Sequence, residues 1–385
     1  MRGLLVAAGA SVMFLAGVAL AAEKPPQTDA TSVLVAEGAS GSPLVTINPR
    51  KRVPIASITK VMTALVVLDR AELSDTVVVS ERAAGIGEAT AGLRAGERLS
   101  VKQLLSAMLV ESANDAAHAL ADHVGGENGV RRFVRLMNRK ARNMGLEDTK
   151  FKRPDGLDVE GHLSSARDVM TLARRAMENP DFRELARLES VTLPGGRALE
   201  TTNDLLGTYP GLTGVKTGHT SDAGWSQVAF ARRDGVQLYA VLLGGPSRER
   251  RNADLAALLD WGFEQFGEVR VIEGGASYAQ VRVPFDDNRV LDLVADRSVS
   301  RIVQWDEALE QRVSATRIVA LPIIAGQELG SVRILDADEN VVAERPLIAT
   351  ESIDAPTVAD RASWYVRRAL DNAGDAFGGV FGVIS

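Results

Sequence analysis

Residues 51–69 have the sequence KRVPIASITKVMTALVVLD. Pro54 disfavours a helical conformation in the residue before it, so a helix is predicted to begin near Ala56 or Ser57. Apolar residues then recur at helical spacing, at Ile58, Val61, Met62, Leu65 and Val66. Ser57 and Lys60 are three residues apart, so their side chains share one face of the first helical turn.

The side chains of Ser57 and Lys60 are of the types that can act as a nucleophile and its general base. A serine hydroxyl is a weak nucleophile unless a neighbouring group takes its proton. A lysine can take that proton once its ammonium is neutral, which burial, nearby cations and a helix N-terminus all favour. The same spacing also fits a serine cap followed by a surface lysine, so the rest of the chain has to decide between the two.

Composition excludes several classes of site. The chain has 385 residues, a formal net charge of -6 and no cysteine. The charge gives no reason to propose a nucleic-acid partner, and the lack of cysteine rules out disulfides, a thiol nucleophile and cysteine metal sites. His118 and His123 are five residues apart, which is not metal-ligand spacing, and we expect both to be ordinary helix residues. We predict no metal and no cofactor.

The N-terminus resembles an export signal. Arg2 precedes an apolar run over 3–20, and the small residues Ala19, Ala21 and Ala22 surround its end. This pattern predicts a signal peptide over 1–22 and a periplasmic protein, with an uncleaved transmembrane anchor as the alternative.

The remaining pattern predicts two folded domains. Short strands near 32–36 and 44–47, helices through the middle, and strands near 213–216, 225–231 and 236–243 suggest an antiparallel sheet flanked by helices. Beyond residue 268, alternating runs separated by turns indicate a small all-β domain. The predicted division is a larger domain of sheet and helices over 30–268, a β domain over 269–349 and a tail over 350–385. In the tail, Val366, Leu370, Ala373, Phe377 and Val380 fall on one helical face, which predicts peripheral contact with a membrane.

Two later triplets can complete a site with Ser57 and Lys60. Ser112-Ala113-Asn114 interrupts a helical pattern, so one turn can present a hydroxyl and an amide. Lys216-Thr217-Gly218 lies in a predicted strand and combines a cation and a hydroxyl with a glycine that permits close backbone approach. We expect Lys216 to be the nearby cation that keeps Lys60 neutral.

With these three motifs in this order, the chain resembles the low-molecular-mass penicillin-binding proteins, specifically serine-type D-alanyl-D-alanine carboxypeptidases of the two-domain periplasmic kind. Asp155 stands where some members have histidine. The resemblance implies an α/β (α+β) β-lactamase/transpeptidase-like domain with a helical subdomain. It rests on the stretches 54–60, 112–116, 155–157, 164–168, 214–220, 325–330 and 344–347.

The resemblance also implies roles for individual residues. Ser57 would attack the bond between two terminal D-alanines of a peptidoglycan stem peptide, with Lys60 as general base, and β-lactams would acylate the same serine. Backbone N–H groups of Ser57 and His219 would form the oxyanion hole. Ser112 and Lys216 would transfer the proton to the leaving amine, and Asn114 would bind the substrate amide. Thr217, beside Gly218, and Arg251 would bind the terminal carboxylate. Arg248 and Arg250 are close alternatives to Arg251.

Two other functions remain open at this point. A class A-like β-lactamase would need a deacylating glutamate, and Glu160 lies in a suitable region although its surroundings do not match that family. A non-catalytic scaffold of the cell envelope could use the same fold, but the intact Ser57, Lys60 and Lys216 disfavour it.

Overall fold

The computed structural model describes residues 9–15 and 24–378, with side chains from 24 to 370. The described residues form two compact units, one of residues 24–265 and one of residues 266–378 together with 9–15. The predicted signal peptide lies outside the described residues except for Gly9–Leu15, which forms strand β1 of the second unit.

A five-stranded antiparallel sheet is the centre of the first unit, in the order β3-β2-β10-β9-β8. Its last hairpin turns at Asp234 and Gly235, which both have positive φ, as a tight two-residue turn requires. Two small two-stranded sheets, β4–β5 and β6–β7, lie outside this sheet. The strands are β2 (Ser32–Glu37), β3 (Pro43–Ile47), β4 (Thr76–Val78), β5 (Arg98–Ser100), β6 (Ser190–Leu193), β7 (Arg197–Glu200), β8 (Leu212–Thr220), β9 (Gly224–Arg233) and β10 (Val236–Gly245).

Helices cover both faces of this sheet. They are α1 (Thr59–Leu68), α2 (Glu81–Ala84), α3 (Val101–Val110), α4 (Asn114–Gly125), α5 (Gly129–Asn143), α6 (Ala166–Glu178), α7 (Pro180–Ala186) and α8 (Arg248–Glu264). Alternate residues of β10 face opposite sides: Leu238 meets Gly262 of α8, whereas Tyr239 and Val241 join the core that contains α1, α3, α4 and α6. The largest hydrophobic core therefore lies between the sheet and the helical middle of the chain.

One helix boundary differs from the sequence prediction. Residues Ala56–Ile58 form a 3₁₀ turn, and the α-helix begins only at Thr59. Pro180 begins α7, because proline is tolerated at the first helical position and the Asn179 side chain caps the helix by accepting from Phe182 N.

The second unit is mostly antiparallel sheet. Six strands pair in the order β1-β15-β16-β17-β13-β12, and β11 pairs with β14. Buried aliphatic residues from these strands form a core of their own. The elements are β11 (Phe266–Ile272), β12 (Ser277–Arg282), β13 (Val290–Ala295), β14 (Val299–Gln304), β15 (Leu309–Ala315), β16 (Glu328–Leu335), β17 (Val341–Ala349) and helix α9 (Val358–Gly378).

Helix α9 contacts its own unit through several residues in its first half, among them Trp364 and Tyr365. The Trp364 ring packs edge-on against Phe285, with ring centroids 5.5 Å apart, and its Nε1 donates to Asp287 Oδ2 at 3.0 Å. Val366 and Leu370 are exposed. No helix in the described part of the chain is long and apolar enough to cross a membrane.

Candidate active site

Ser57 lies at a sharp turn immediately before α1. Ala56 has a φ of +46°, a left-handed conformation that is unfavourable for a residue with a side chain. Ile55 precedes this turn and Ile58 ends it, and both are completely buried. Buried apolar residues on both sides thus hold the turn in place and leave the Ser57 side chain partly accessible.

The Lys60 ammonium makes three short contacts in a completely buried position. Its Nζ lies 2.7 Å from Ser57 Oγ, 2.7 Å from Asn114 Oδ1 and 2.8 Å from the backbone oxygen of Asp155. Burial is the main cause that lowers the pKa of Lys60 to about 7, while the Asp155 carboxylate opposes this shift. Near neutral pH a substantial share of Lys60 is therefore uncharged and can accept the Ser57 proton.

The second triplet forms the turn between α3 and α4. Ser112 is buried with a φ of +65°, and Asn114 begins α4. Asn114 donates from its side chain to the oxygen of Gly87 at 3.2 Å. Within the described residues the Ser112 hydroxyl makes no hydrogen bond to Lys60 or Lys216. The structure therefore joins Asn114 directly to Lys60 and leaves Ser112 beside the pair without such a bond.

Asp115 connects this turn to the preceding glycine-containing loop. Its carboxylate accepts from the backbone N–H groups of Ala91 and Leu93, each at 3.0 Å. Asp115 itself is buried, so these bonds replace the water that its charge loses. The loop over residues 85–97 is thereby held next to Asn114.

The third triplet lies in β8, a strand of the central sheet. Lys216 is buried, and its Nζ donates to the oxygen of Thr217 at 3.2 Å. Burial lowers the pKa of Lys216 well below its ordinary value, and the positive charge of Lys60 lowers it further. The expectation that Lys216 keeps Lys60 neutral is corrected here, because burial is the main cause for Lys60.

Gly218 is where β8 comes closest to the Ser57 turn. A Cβ at this position would lie 2.8 Å from the oxygen of Ile55 and 3.1 Å from the nitrogen of Ser57. Side-chain carbon atoms do not approach backbone this closely, so only glycine lets the strand and the turn touch. The neighbouring His219 is exposed, and its ring stacks on Trp225 with centroids 3.9 Å apart.

The structure separates the three arginines that the sequence left close together. Arg248 and Arg250 are about half exposed and pair with Asp204 and Asp254. Arg251 is buried with only 2% of its side chain accessible, next to Trp225 and 3.3 Å from an Asp204 oxygen. Burial lowers the pKa of Arg251 to about 10, and its charge also lowers the pKa of Lys216. Arg251 is thus the arginine of the three that is electrostatically coupled to the site.

A buried network beneath Lys60 is absent from the sequence prediction. Asp155 accepts from His118 Nε2 at 2.8 Å and from Arg153 Nε and Nη2 at 2.9 and 2.8 Å. Burial alone would raise the pKa of Asp155, but the bonds from His118 and Arg153 outweigh it and hold the pKa well below its usual range. The expectation that His118 is an ordinary helix residue is incomplete, because its Nε2 belongs to this network, and its buried Nδ1 has no hydrogen-bond partner among the described residues.

Only the Asp-Gly-Leu stretch at 155–157 gave a sequence signal for this network. His118 and Asp155 are 37 residues apart, and nothing local to either residue predicts that they meet. Gly156 shows why the stretch needs glycine: it has a φ of +91°, and a Cβ there would lie 2.0 Å from the oxygen of Ala56.

Comparisons with known sequences and with solved structures find the same kind of relative. Residues 19–247 match the family model described as D-alanyl-D-alanine carboxypeptidase. The chain is 32% identical over 346 residues to D-alanyl-D-alanine carboxypeptidase DacF of Bacillus subtilis, which covers 84% of this chain and 86% of that protein. It is also 32% identical over 358 residues to DacD of Escherichia coli, with 89% and 91% covered.

A solved structure shows the same likeness. Penicillin binding protein 5 from Haemophilus influenzae superposes with a TM-score of 0.62 at 28% identity, covering 86% of this chain and 99% of that chain. The predicted α/β (α+β) fold, followed by a small β domain, is confirmed by this likeness.

Proposed function

This chain belongs to the D-alanyl-D-alanine carboxypeptidase family, and on that premise we propose that Ser57 and Lys60 remove the terminal D-alanine from peptidoglycan stem peptides. The observation that carries this assignment is the contact of 2.7 Å between Lys60 Nζ and Ser57 Oγ. It joins a partly accessible hydroxyl to a buried amine whose pKa burial lowers to about 7. A hydroxyl next to a base of this kind is an activated nucleophile.

In the proposed acylation, Ser57 Oγ attacks the carbonyl carbon between the two D-alanines as neutral Lys60 takes its proton. The backbone N–H groups of Ser57 and His219 stabilise the oxyanion, a contribution that is typically worth roughly 10²–10³ in rate for one donor. When the C–N bond breaks, the leaving amine takes a proton from the site and D-alanine departs. Water then hydrolyses the Ser57 ester and releases the shortened peptide.

Substrate binding is assigned to the residues around this pair. Asn114, whose oxygen already accepts from Lys60, holds the peptide amide through its remaining donor capacity. Thr217 and Arg251 bind the terminal carboxylate, because a buried guanidinium is a strong partner for that group. Ser112 and Lys216 carry the proton toward the leaving amine. Gly218 keeps β8 close enough to Ser57 for both sets of residues to reach one peptide.

The decisive experiment combines two measurements on the full chain. Release of D-alanine from a stem pentapeptide is expected for the wild type and is expected to vanish in Ser57→Ala. Benzylpenicillin should add its own mass to the peptide that contains Ser57. Ser42→Ala is the matched control, since Ser42 is an exposed serine outside the site. No D-alanine release by a folded wild type that still binds the pentapeptide would support the scaffold reading instead.

The alternative hypothesis of a β-lactamase has a separate test. The Glu160 side chain is exposed and, within the described residues, makes no hydrogen bond or ion pair. We therefore expect slow acylation by nitrocefin without sustained turnover. Rapid, continuous hydrolysis of nitrocefin would contradict the carboxypeptidase assignment.

We further propose that the enzyme works in the periplasm, after residues 1–22 are removed as a signal peptide, with 30–268 carrying the chemistry and 269–349 forming an accessory domain. The tail over 350–385 makes the proposed peripheral membrane contact, which the exposed Val358, Val366 and Leu370 support. A mature protein that still began at Met1 would contradict export by cleavage. Equal membrane binding after deletion of 351–385 would contradict the role of the tail.

A further inference from the structure

Helix α5 carries an unusual concentration of positive charge. Its fifteen residues include six basic and no acidic side chains, in a chain whose formal net charge is -6. Four of the arginines, which we call the arginine stripe, follow one another along one face: Arg131, Arg135, Arg139 and Arg142. The spacing places them within one side of the helix, over about 16 Å of its length.

The arginine stripe is exposed, and no carboxylate of the described residues pairs with it. All four side chains are exposed, and within the described residues none of them forms an ion pair with a carboxylate. By contrast, Lys140 on the same helix points elsewhere and pairs with Asp69 at 2.6 Å. The opposite face of the helix is buried through Phe133, Leu136 and Met137. The core thus fixes the rotation of α5, and the stripe faces solvent.

The arginine stripe lowers the stability of the helix that carries it. Arg131 and Arg135, and again Arg135 and Arg139, are like charges four residues apart, an arrangement that destabilises an isolated helix. A destabilising arrangement without an internal partner points to a partner outside the chain.

A basic groove extends this surface beyond the helix. It has a volume of about 580 Å³ and is lined by Arg139 together with Arg70, Arg174 and Arg175. Two acidic residues also line it, Asp69 and Glu178, which pair with Lys140 and Arg175, so the basic residues remain in excess. Arg70 is exposed and likewise forms no ion pair within the described residues. The apolar residues Val66, Leu136 and Met144 also line the groove. Arg70 lies beyond the C-terminal end of α1, whereas Ser57 precedes its N-terminal end, so ten helical residues, about 15 Å, separate the two.

We propose that the arginine stripe and this groove bind the anionic phospholipid headgroups of a membrane surface. Guanidinium groups match phosphate oxygens in pairs, and four of them in a row suit many phosphates in a plane better than one ligand in a pocket. The stripe has no exposed large apolar side chain, so the contact is electrostatic and does not require insertion. The contact is independent of the proposed peptidase chemistry.

The test is binding of the full chain to vesicles of pure phosphatidylcholine and to vesicles containing about one third phosphatidylglycerol. Each arginine near an anionic surface contributes about fivefold in affinity, so R131Q/R135Q/R139Q should bind the anionic vesicles about a hundredfold more weakly. The matched control R98Q/R232Q/R317Q removes the same charge from three exposed arginines elsewhere that form no ion pair with any described residue, and it should bind like the wild type. Binding of the wild type should also fall as salt is raised.

Each alternative has a distinct result. An equal loss in the control variant, or no preference of the wild type for anionic vesicles, would overturn the proposal. So would retention of vesicle binding by the stripe variant together with loss of binding to purified peptidoglycan, which would make the wall polymer the partner. The stripe variant should unfold at the same or a higher temperature than the wild type. Its release of D-alanine from a soluble pentapeptide should be unchanged, which separates this test from that of the peptidase assignment.

Discussion

Replacing Asp155 by Asn should change the pH dependence of Ser57 acylation. Lys60 has to be neutral to act as a base, and its pKa lies at about 7. The acylation rate of the wild type by a β-lactam should therefore rise about tenfold between pH 6 and pH 8. The Asp155 carboxylate favours the charged form of Lys60 and stays ionised over this range, because its own pKa is held well below the usual value.

The size of the change follows from removing that one charge. An opposite charge a few ångströms away shifts a pKa by one unit or more, so the Lys60 pKa in Asp155→Asn should fall by about one unit, to roughly 6. The neutral fraction of Lys60 at pH 6 then rises from about one tenth to about one half. Acylation at pH 6 should become about fivefold faster, and acylation at pH 8 should hardly change.

The assay is the rate of mass labelling or fluorescence labelling of Ser57 by a penicillin between pH 5.5 and about 9, a range chosen to bracket the Lys60 pKa. Asp158→Asn is the matched control, because Asp158 lies on the same loop but is exposed and accepts from Thr220. Loss of bonds from Arg153 and His118 should destabilise the Asp155 variant by about 1–3 kcal/mol, so a melting temperature accompanies each profile. A folded variant whose midpoint stays at 7 or moves upward would refute the coupling between Asp155 and Lys60.

Three further substitutions test separate parts of the site. Lys60→Arg keeps the charge but removes the base, so Ser57 labelling should be lost while the melting temperature holds, and labelling at the normal rate would contradict the role of Lys60. Gly218→Ala should lose about 1–3 kcal/mol of stability and acylate more slowly, because the added Cβ would press on the Ser57 turn. In the control Gly85→Ala the added Cβ makes only ordinary contacts, so stability and acylation rate should both stay unchanged. Arg251→Gln should lower kcat/KM for D-alanine release about tenfold to a hundredfold, whereas the control Arg248→Gln should leave kcat/KM nearly unchanged. Equal losses in the two variants would contradict a specific role of Arg251 in binding the substrate carboxylate.

Much of the fold was accessible from local sequence. The hairpin at Asp234-Gly235, the strands on either side of it and the helices α3, α5 and α6 depend on periodicity and turn chemistry within a few residues. The boundary that was missed is the 3₁₀ turn at Ala56–Ile58, before the α-helix begins. It depends on the left-handed conformation of Ala56, which periodicity does not report.

The residues of the candidate site likewise fall into those that the sequence identified and those that only the structure revealed. Ser57, Asn114 and Lys216 were recognisable because their motifs occur in a fixed order on the expected kinds of element. The choice of Arg251 over Arg248 and Arg250 was open, since neighbouring arginines on one helix turn look alike in sequence and differ only in burial and partners. The Asp155–His118–Arg153 network was missed because His118 and Asp155, 37 residues apart, meet only in three dimensions.

The sequence alone therefore determined which chemical groups the chain carries and the kind of element on which each lies. Only the tertiary structure decided that Lys60 can be uncharged near neutral pH, because its pKa depends on removal from water and on partners that lie 54 and 95 residues further along the chain. It also decided why Gly218 and Gly156 are required, since each faces backbone of the Ser57 turn at a distance that no Cβ tolerates. Desolvation and close backbone contact are properties of packed, distant segments, and no window of local sequence contains them.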